Sequence, residues 1–304
     1  MDTILVVGIE TVVGANFAAH FAEQHDVVGV SCGAPIRIEG CRTVSNTSSA
    51  ADIVAQVRPA KVIYCGPESR SSWDPATDST LHKSSDAARE WARASAAGKA
   101  AFAMISSDAV FTGPWIFHDE DSTSESASAA ADSIRKTESG VAEANPAALL
   151  IRTNAFGWSP LANGWLEKTL QTIELRRTID QDSFRHSTPI LATDLADIVD
   201  RAFAEGLTGL HHVAGAERVS PHNFVQRLAD QFDLPWLAVR REPTTLETAG
   251  EGANETSLQT KKIRKALCVA MPMLTEGLDR LSAQRFNGHR DLLIQPAAAG
   301  VAAA

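Results

Sequence analysis

The chain has 304 residues, 44% of them hydrophobic and 21% charged, and a net charge of −9. That profile belongs to an ordinary globular protein, large enough for one sizeable domain or two smaller ones. The negative balance opposes phosphate backbones and anionic lipid, so neither nucleic acid nor membrane is expected as a partner.

Residues 3–8 (TILVVG) predict a buried strand, 15–24 a helix and 26–32 (DVVGVSC) a second strand. The apolar run at Ile4 to Val7 is too short for a signal segment, and none approaches the roughly 18 apolar residues that span a bilayer. A helix over 50–57 precedes Arg58-Pro59 and a strand over 61–66 (KVIYCG). A long helix over 78–97, a strand over 101–107 (AFAMISS) and a strand over 147–152 follow. Apolar strands alternating with helices predict a parallel sheet covered on both faces. Residues 122–131 (STSESASAAA) read as a mobile loop over the C-terminal edge of that sheet.

Beyond Arg152 the pattern changes. Helices are expected over 164–174, 193–205, 220–232, 260–267 and 273–283, with a strand over 210–215 and a charged loop over 242–255. The last residues, from Gln295, have no amphipathic pattern and are expected to be disordered. The four cysteines, Cys32, Cys41, Cys65 and Cys268, lack metal-ligand spacing. They read as small buried hydrophobes in a reducing, cytoplasmic setting.

The first strand runs into Gly8-Ile9-Glu10-Thr11-Val12-Val13-Gly14 and then a helix. In a dinucleotide-binding turn the first glycine makes the bend, the middle one lets backbone approach a pyrophosphate, and the last lets helix pack on strand. Helix N–H groups then hold the phosphate charge. Here the middle position is Thr11, which would either crowd a pyrophosphate or hydrogen-bond it. A βα turn that merely packs well is the alternative. The second strand ends in Val30-Ser31-Cys32 without the carboxylate that usually reads the ribose, which weakens a preference for NAD. Arg37 or Arg42 could meet a 2′-phosphate; a plain surface charge is the other reading of each.

Ser106-Ser107-Asp108-Ala109-Val110-Phe111-Thr112-Gly113 resembles the S-[ST]-D-x-V-F-x-G motif of the dTDP-4-dehydrorhamnose reductase family, within the extended short-chain dehydrogenase/reductases. Further segments are similar to that family in the same order: Ile151 to Trp158, Thr188-Pro189-Ile190 with Asp194-Leu195-Ala196, Gly209 to Val219 with Phe224, and Thr256 to Lys262. The resemblance implies NADP or NAD as cofactor and a nucleotide-linked keto sugar, or a similar small molecule, as substrate. It also makes a homodimer an expectation. It implies cofactor contacts at Gly8, Thr11, Gly14, Ser31, Cys65, Gly66, Ser106 and Arg152. Substrate contacts fall at Asp108, Phe111, Asn154, Trp158 and Arg185. In the family a Ser/Thr positions the carbonyl, and a Tyr and Lys, spaced YxxxK at a helix start, move the proton. The resemblance puts the first at Ser107 and the lysine at Lys136. Counting back from Lys136, the tyrosine position holds Asp132, and the chain's single tyrosine is Tyr64, inside a strand. A placed general acid contributes on the order of 10²–10⁴ in rate.

Other candidates are weaker. His118-Asp119-Glu120-Asp121 could ligate a cation, but a solvated acidic loop is the better reading, and no metal is expected. His211 and His212 are neighbours in a strand and point to opposite faces, so they cannot chelate one ion together. The expected fold is α/β, a Rossmann-type doubly wound parallel sheet, with a smaller C-terminal α/β substrate domain. The expected division is 1–157 plus 188–215 for the sheet domain, 158–187 and 216–290 for the smaller one, and 291–304 as a disordered tail. Two functions follow. One is an NAD(P)-dependent reductase or epimerase acting on a nucleotide-linked keto sugar with an atypical acid. The other is a catalytically silent nucleotide-binding or regulatory protein that keeps the fold.

Overall fold

The computed structural model describes residues 2–33, 35–45, 48–74, 85–177, 179–181, 185–235, 238–240 and 255–293. Seven strands form one sheet: β1 (Thr3–Val7), β2 (Asp26–Ser31), β3 (Arg42–Ser45), β4 (Lys61–Tyr64), β5 (Ala101–Ser107), β6 (Leu149–Thr153) and β10 (Gly209–His212). All six pairings are parallel, in the order β10-β6-β5-β4-β1-β2-β3. The order reverses between β1 and β4. This is a Rossmann-type α/β sheet, and its switch point is where such folds take ligands. The chain leaves the sheet after β6 and re-enters it as β10, beside β6.

Helices cover both faces because the strands are apolar on both. One core holds Ile4, Val6, Phe17, Ile63, Ile105, Leu195 and Val199. The other holds Leu5, Val7, Val28, Val62, Tyr64, Trp91 and Phe102. Alternation along β1 sends Ile4 and Val6 to one side and Leu5 and Val7 to the other.

The helices start where side-chain caps place them. Thr11 caps α1 (Val12–Ala22), Ser49 caps α2 (Ala50–Val57) and Ser128 caps α4 (Ala129–Ala144), each accepting from a first-turn N–H. Between them lies α3 (Ser85–Ala97). Beyond β6 come β7 (Ala155–Phe156), α5 (Trp165–Glu174), β8 (Ile179–Gln181), β9 (Ile190–Leu191), α6 (Ala192–Ala204) and, after β10, α7 (Pro221–Gln231). Ser220 caps α7, with Pro221 in its first turn. The chain then forms β11 (Ala238–Arg240), α8 (Lys261–Leu267), α9 (Leu274–Gln284) and α10 (His289–Leu293).

Three expectations need correction. Residues 122–131 are pinned rather than loose. Thr112 donates to the Ser124 carbonyl (3.0 Å) and Ser126 to the Val110 carbonyl (2.8 Å). Arg135 donates to the Ser126 carbonyl (2.9 Å), and 129–131 already belong to α4. Residues 291–293 are not tail but the end of α10, where Leu293 is fully buried. The His289 ring lies 3.1 Å from the Asn16 amide oxygen. Of the cysteines, Cys41 and Cys65 are buried as expected, whereas Cys32 and Cys268 are exposed. The expected helical residues 78–84, the loop over 242–254 and the tail 294–304 lie outside the described residues.

Candidate functional site

A cleft of about 410 Å³ opens at the switch point. Its walls are the turn after β1 (Glu10 to Val13), the segment after β4 (Pro67 to Asp74), and Asn163, Trp165 and Lys168 at the start of α5. That volume lies in the usual range for a small-molecule site. A larger cavity of about 850 Å³ is lined by α6, α8 and α9, with Phe117 from the segment after β5, and touches neither the turn after β1 nor the one after β4. The smaller one is the candidate site because it lies at the carboxyl ends of the strands.

The floor of the cleft is set by glycines. Gly8 has φ +87°, and a Cβ there would stand 2.1 Å from the Cys65 carbonyl oxygen. A Cβ on Gly14 would stand 2.2 Å from the Gly8 carbonyl oxygen. Strand, turn and helix therefore approach as closely as backbone permits. Thr11 does not aim its hydroxyl at the cleft. It donates to the Gly8 carbonyl (2.9 Å), is 3.2 Å from the Cys65 carbonyl, and accepts from Gly14 N–H (3.0 Å). The N–H groups of Val12 and Val13 have no acceptor within the helix, as the first turn of any helix requires, and both residues line the cleft.

Next to this opening, the ends of β5 and β6 are closed. Asp108 is fully buried, and six donors converge on its carboxylate: the adjacent Ser107 hydroxyl (3.3 Å) and five from elsewhere in the chain. Those five are Ser72 N–H (3.1 Å), the Ser72 hydroxyl (2.8 Å), the Asn154 amide (2.8 Å), the Ser187 hydroxyl (2.6 Å) and the Thr256 hydroxyl (2.6 Å). A buried carboxylate is tolerated when its lone pairs are filled in this way. Ser107, also fully buried, accepts from Ala109 N–H (3.1 Å) as the cap of a short turn. Beneath it, Ser106 donates to Glu138 (2.6 Å), and Arg152 grips Glu138 with two bonds (2.9 and 2.7 Å) while stacking on Phe111.

Helix α4 decides what can reach this region. Its buried stripe is Ala131, Ile134, Thr137, Glu138 and Val141. Ile134 is fully buried in a cluster with Val110, Phe111, Ala214 and Leu258, and Ala130 packs against the same cluster. Asp132 and Lys136 each lie two residues from Ile134, about 200° around the helix, on the opposite face. They pair with each other at 2.7 Å, and Lys136 is 73% exposed. The Lys136 ammonium holds the Asp132 carboxyl below the usual range. Asp132 and Lys136, expected as catalytic residues, thus share the outer face of α4. The two inward positions four residues apart, Ala130 and Ile134, carry no titratable group. Tyr64 is buried in the second core, and burial raises its phenol well above 10.

Of the residues expected to touch a cofactor, Thr11 lines the cleft, and Gly8, Gly14 and Gly66 shape the backbone behind it. Cys65 lies behind the turn, its carbonyl facing Thr11. Ser106 and Arg152 are taken up by Glu138. Among the expected substrate contacts, Asp108 and Asn154 belong to the buried network, and Phe111 stacks on His118 at 4.5 Å. Trp158 is 1% exposed, with Arg290 over its ring; it is a core residue. Arg185 is not among the residues lining the cleft. Among the described residues no group of His, Cys, Asp or Glu could hold a metal ion, and Glu120 instead accepts from His212 N–H at 2.9 Å. Sequence reasoning missed Trp165 and Lys168, because nothing local marks the start of α5 as facing β1. It also missed Glu10. Its carboxylate folds across the end of β2 and accepts from Cys32 N–H at 3.0 and 3.1 Å, with the Ser31 hydroxyl 3.3 Å away.

The RmlD substrate binding domain family matches residues 1–286. The chain belongs to this family. None of the curated proteins matches the sequence. Among solved structures, a dTDP-4-dehydrorhamnose reductase from Bacillus anthracis in complex with NADP is similar at 18% identity and TM-score 0.75. The match covers 93% of this chain and 99% of that one. The Bordetella bronchiseptica enzyme WbmH in complex with NAD+ is similar at 17% identity and TM-score 0.73, over 95% and 100%. A UDP-glucuronic acid 4-epimerase from Bacillus cereus, in complex with UDP-glucuronic acid and NAD, is similar at 12% and 0.71, over 92% and 98%. In fold, this chain is similar to these reductase and epimerase structures.

Proposed function

We propose that the chain is a catalytically silent member of the family, which binds NAD or NADP in the cleft at the switch point and does not transfer hydride. The observation that carries this reading is the inward face of α4. Ala130 and Ile134 pack with Val110 and Phe111 there, and the Asp132–Lys136 pair faces outward.

The residues present fit a dinucleotide. The first turn of α1 offers the N–H groups of Val12 and Val13 to a pyrophosphate. Arg70 and Lys168 line the cleft and supply positive charge to the same anion. Thr11 leaves room for it because its hydroxyl is bonded into its own turn. When bound, the cofactor would supply the hydride. Among the described residues, the inward face of α4 supplies no group to protonate the carbonyl oxygen that receives it. The lost general acid is worth about 3–5 kcal/mol of barrier. Ser107 keeps its hydrogen bonds inside the fold.

Titration with NADH and NADPH, followed by nicotinamide fluorescence, tests the binding half. Adding dTDP-4-dehydrorhamnose, a keto sugar that can accept the hydride, tests the silent half. Binding without consumption of the reduced cofactor is expected. Steady oxidation tied to a sugar product would instead favour an active reductase with an atypical acid. No binding of either dinucleotide would end the reading altogether.

A further inference from the structure

Strand β2 ends without an acid of its own, yet a carboxylate stands at its end. It comes from Glu10, two residues beyond the first glycine of the β1 turn. Both oxygens lie 3.0–3.1 Å from Cys32 N–H, and the Ser31 hydroxyl donates at 3.3 Å. Gly33 comes equally close: a Cβ there would meet Glu10 Oε1 at 3.4 Å. Glu10 is half-buried and also lines the cleft, so its carboxylate faces the space between the turn and the end of β2. In folds of this kind the adenosine ribose lies there, and an acid reads its 2′-hydroxyl while an arginine accommodates a 2′-phosphate.

The arginines do not compensate for that charge. Arg42 lies at the start of β3, opposite Val28, and reaches back to Asp26, the first residue of β2, at 3.3 Å. It therefore points to the opposite end of the strand from Glu10. Arg37 is exposed in the segment between β2 and β3. The end of β2 thus presents the Glu10 carboxylate, held by a backbone N–H.

We infer that Glu10 makes the cleft selective for NAD(H) over NADP(H), accepting from the ribose hydroxyls and repelling a 2′-phosphate. This rests on the reading above that the cleft binds a dinucleotide. A like charge forced against a dianion disfavours it by at least about tenfold in affinity.

The test is titration of the intact protein with NADH and NADPH, and competition by AMP against adenosine 2′,5′-bisphosphate, at low and high salt. The wild type is expected to bind NADH at least about tenfold tighter, with the gap narrowing as salt screens the charge. Glu10→Gln keeps the size and the acceptor for Cys32 N–H and removes the charge. It is expected to bring the NADH-to-NADPH ratio close to one, mainly by strengthening NADPH. Equal or tighter NADPH binding by the wild type overturns the inference and leaves the cleft as a dinucleotide site. A preference that Glu10→Gln leaves unchanged overturns the role of Glu10. If that variant does not fold, the salt dependence of the wild type decides, because a purely steric exclusion would not respond to salt. Binding of neither dinucleotide overturns the underlying reading together with this one.

Discussion

The strand ends on the β1/β4 side and on the β5/β6 side lie in one sheet, yet they are built on different principles. On the first, close backbone packing through Gly8 and Gly14 leaves helix N–H groups facing an open cleft. On the second, Asn154, Ser187 and Thr256 all donate to Asp108, and Ile134 seals the approach from α4. A phosphate cradle made of backbone survives side-chain changes that leave its glycines in place. A proton relay made of side chains does not survive the exchange of two positions on one helix face. On the proposed reading, binding and chemistry are separable in this fold, and only the binding half keeps its groups here.

The comparison can be broken at either side. The largest effect is expected at the glycines. Gly8→Ala and Gly14→Ala place a methyl within 2.2 Å of backbone carbonyl oxygens, Gly8 also at positive φ. Each is expected to cost more than about 4 kcal/mol in urea unfolding, or to prevent folding. On the closed side, Glu138→Ala strands the buried Arg152 guanidinium and is expected to cost about 3–5 kcal/mol.

A third effect depends on pH. Burial lowers the His212 imidazole to about 3 and that of His289 to about 4. Both are neutral in the fold and take up protons on unfolding. Their contribution is fully present above pH 6.5 and is lost as pH falls toward 4. A loss of about 3 kcal/mol from each, about 6 kcal/mol together, by pH 4 is expected in chemical denaturation. His20, raised by its bond to Asp197, acts in the opposite sense and offsets a part. His289→Asn is expected to flatten the curve; an unchanged slope would remove His289 from the account. The smallest effect is expected at Lys136. Lys136→Ala should leave the melting temperature and the NADH titration unchanged, whereas a catalytic or cofactor-bound lysine would not be silent.

The parallel sheet was legible because its strands are β-branched runs and its helices carry caps. The glycine turn was legible for the same reason, since its function is written in backbone requirements. What lay hidden depends on the third dimension. A YxxxK count from Lys136 finds Asp132 but cannot tell that both project from the outer face of α4. The missing acid at the end of β2 looked like an absence until the turn brought Glu10 across to it. The polar run at 122–131 resembles a loop in composition, yet Arg135 and the Val110 and Thr112 backbone fix it in place.

The central claim is that this cleft binds a nicotinamide cofactor without using it. A single fluorescence experiment tests that most directly: NADH is titrated onto the protein, and dTDP-4-dehydrorhamnose is then added while nicotinamide emission is followed. Saturable enhancement that persists after the sugar is added is the result expected. Enhancement that decays as NADH is oxidised would contradict it and return a proton donor to the closed side of the sheet.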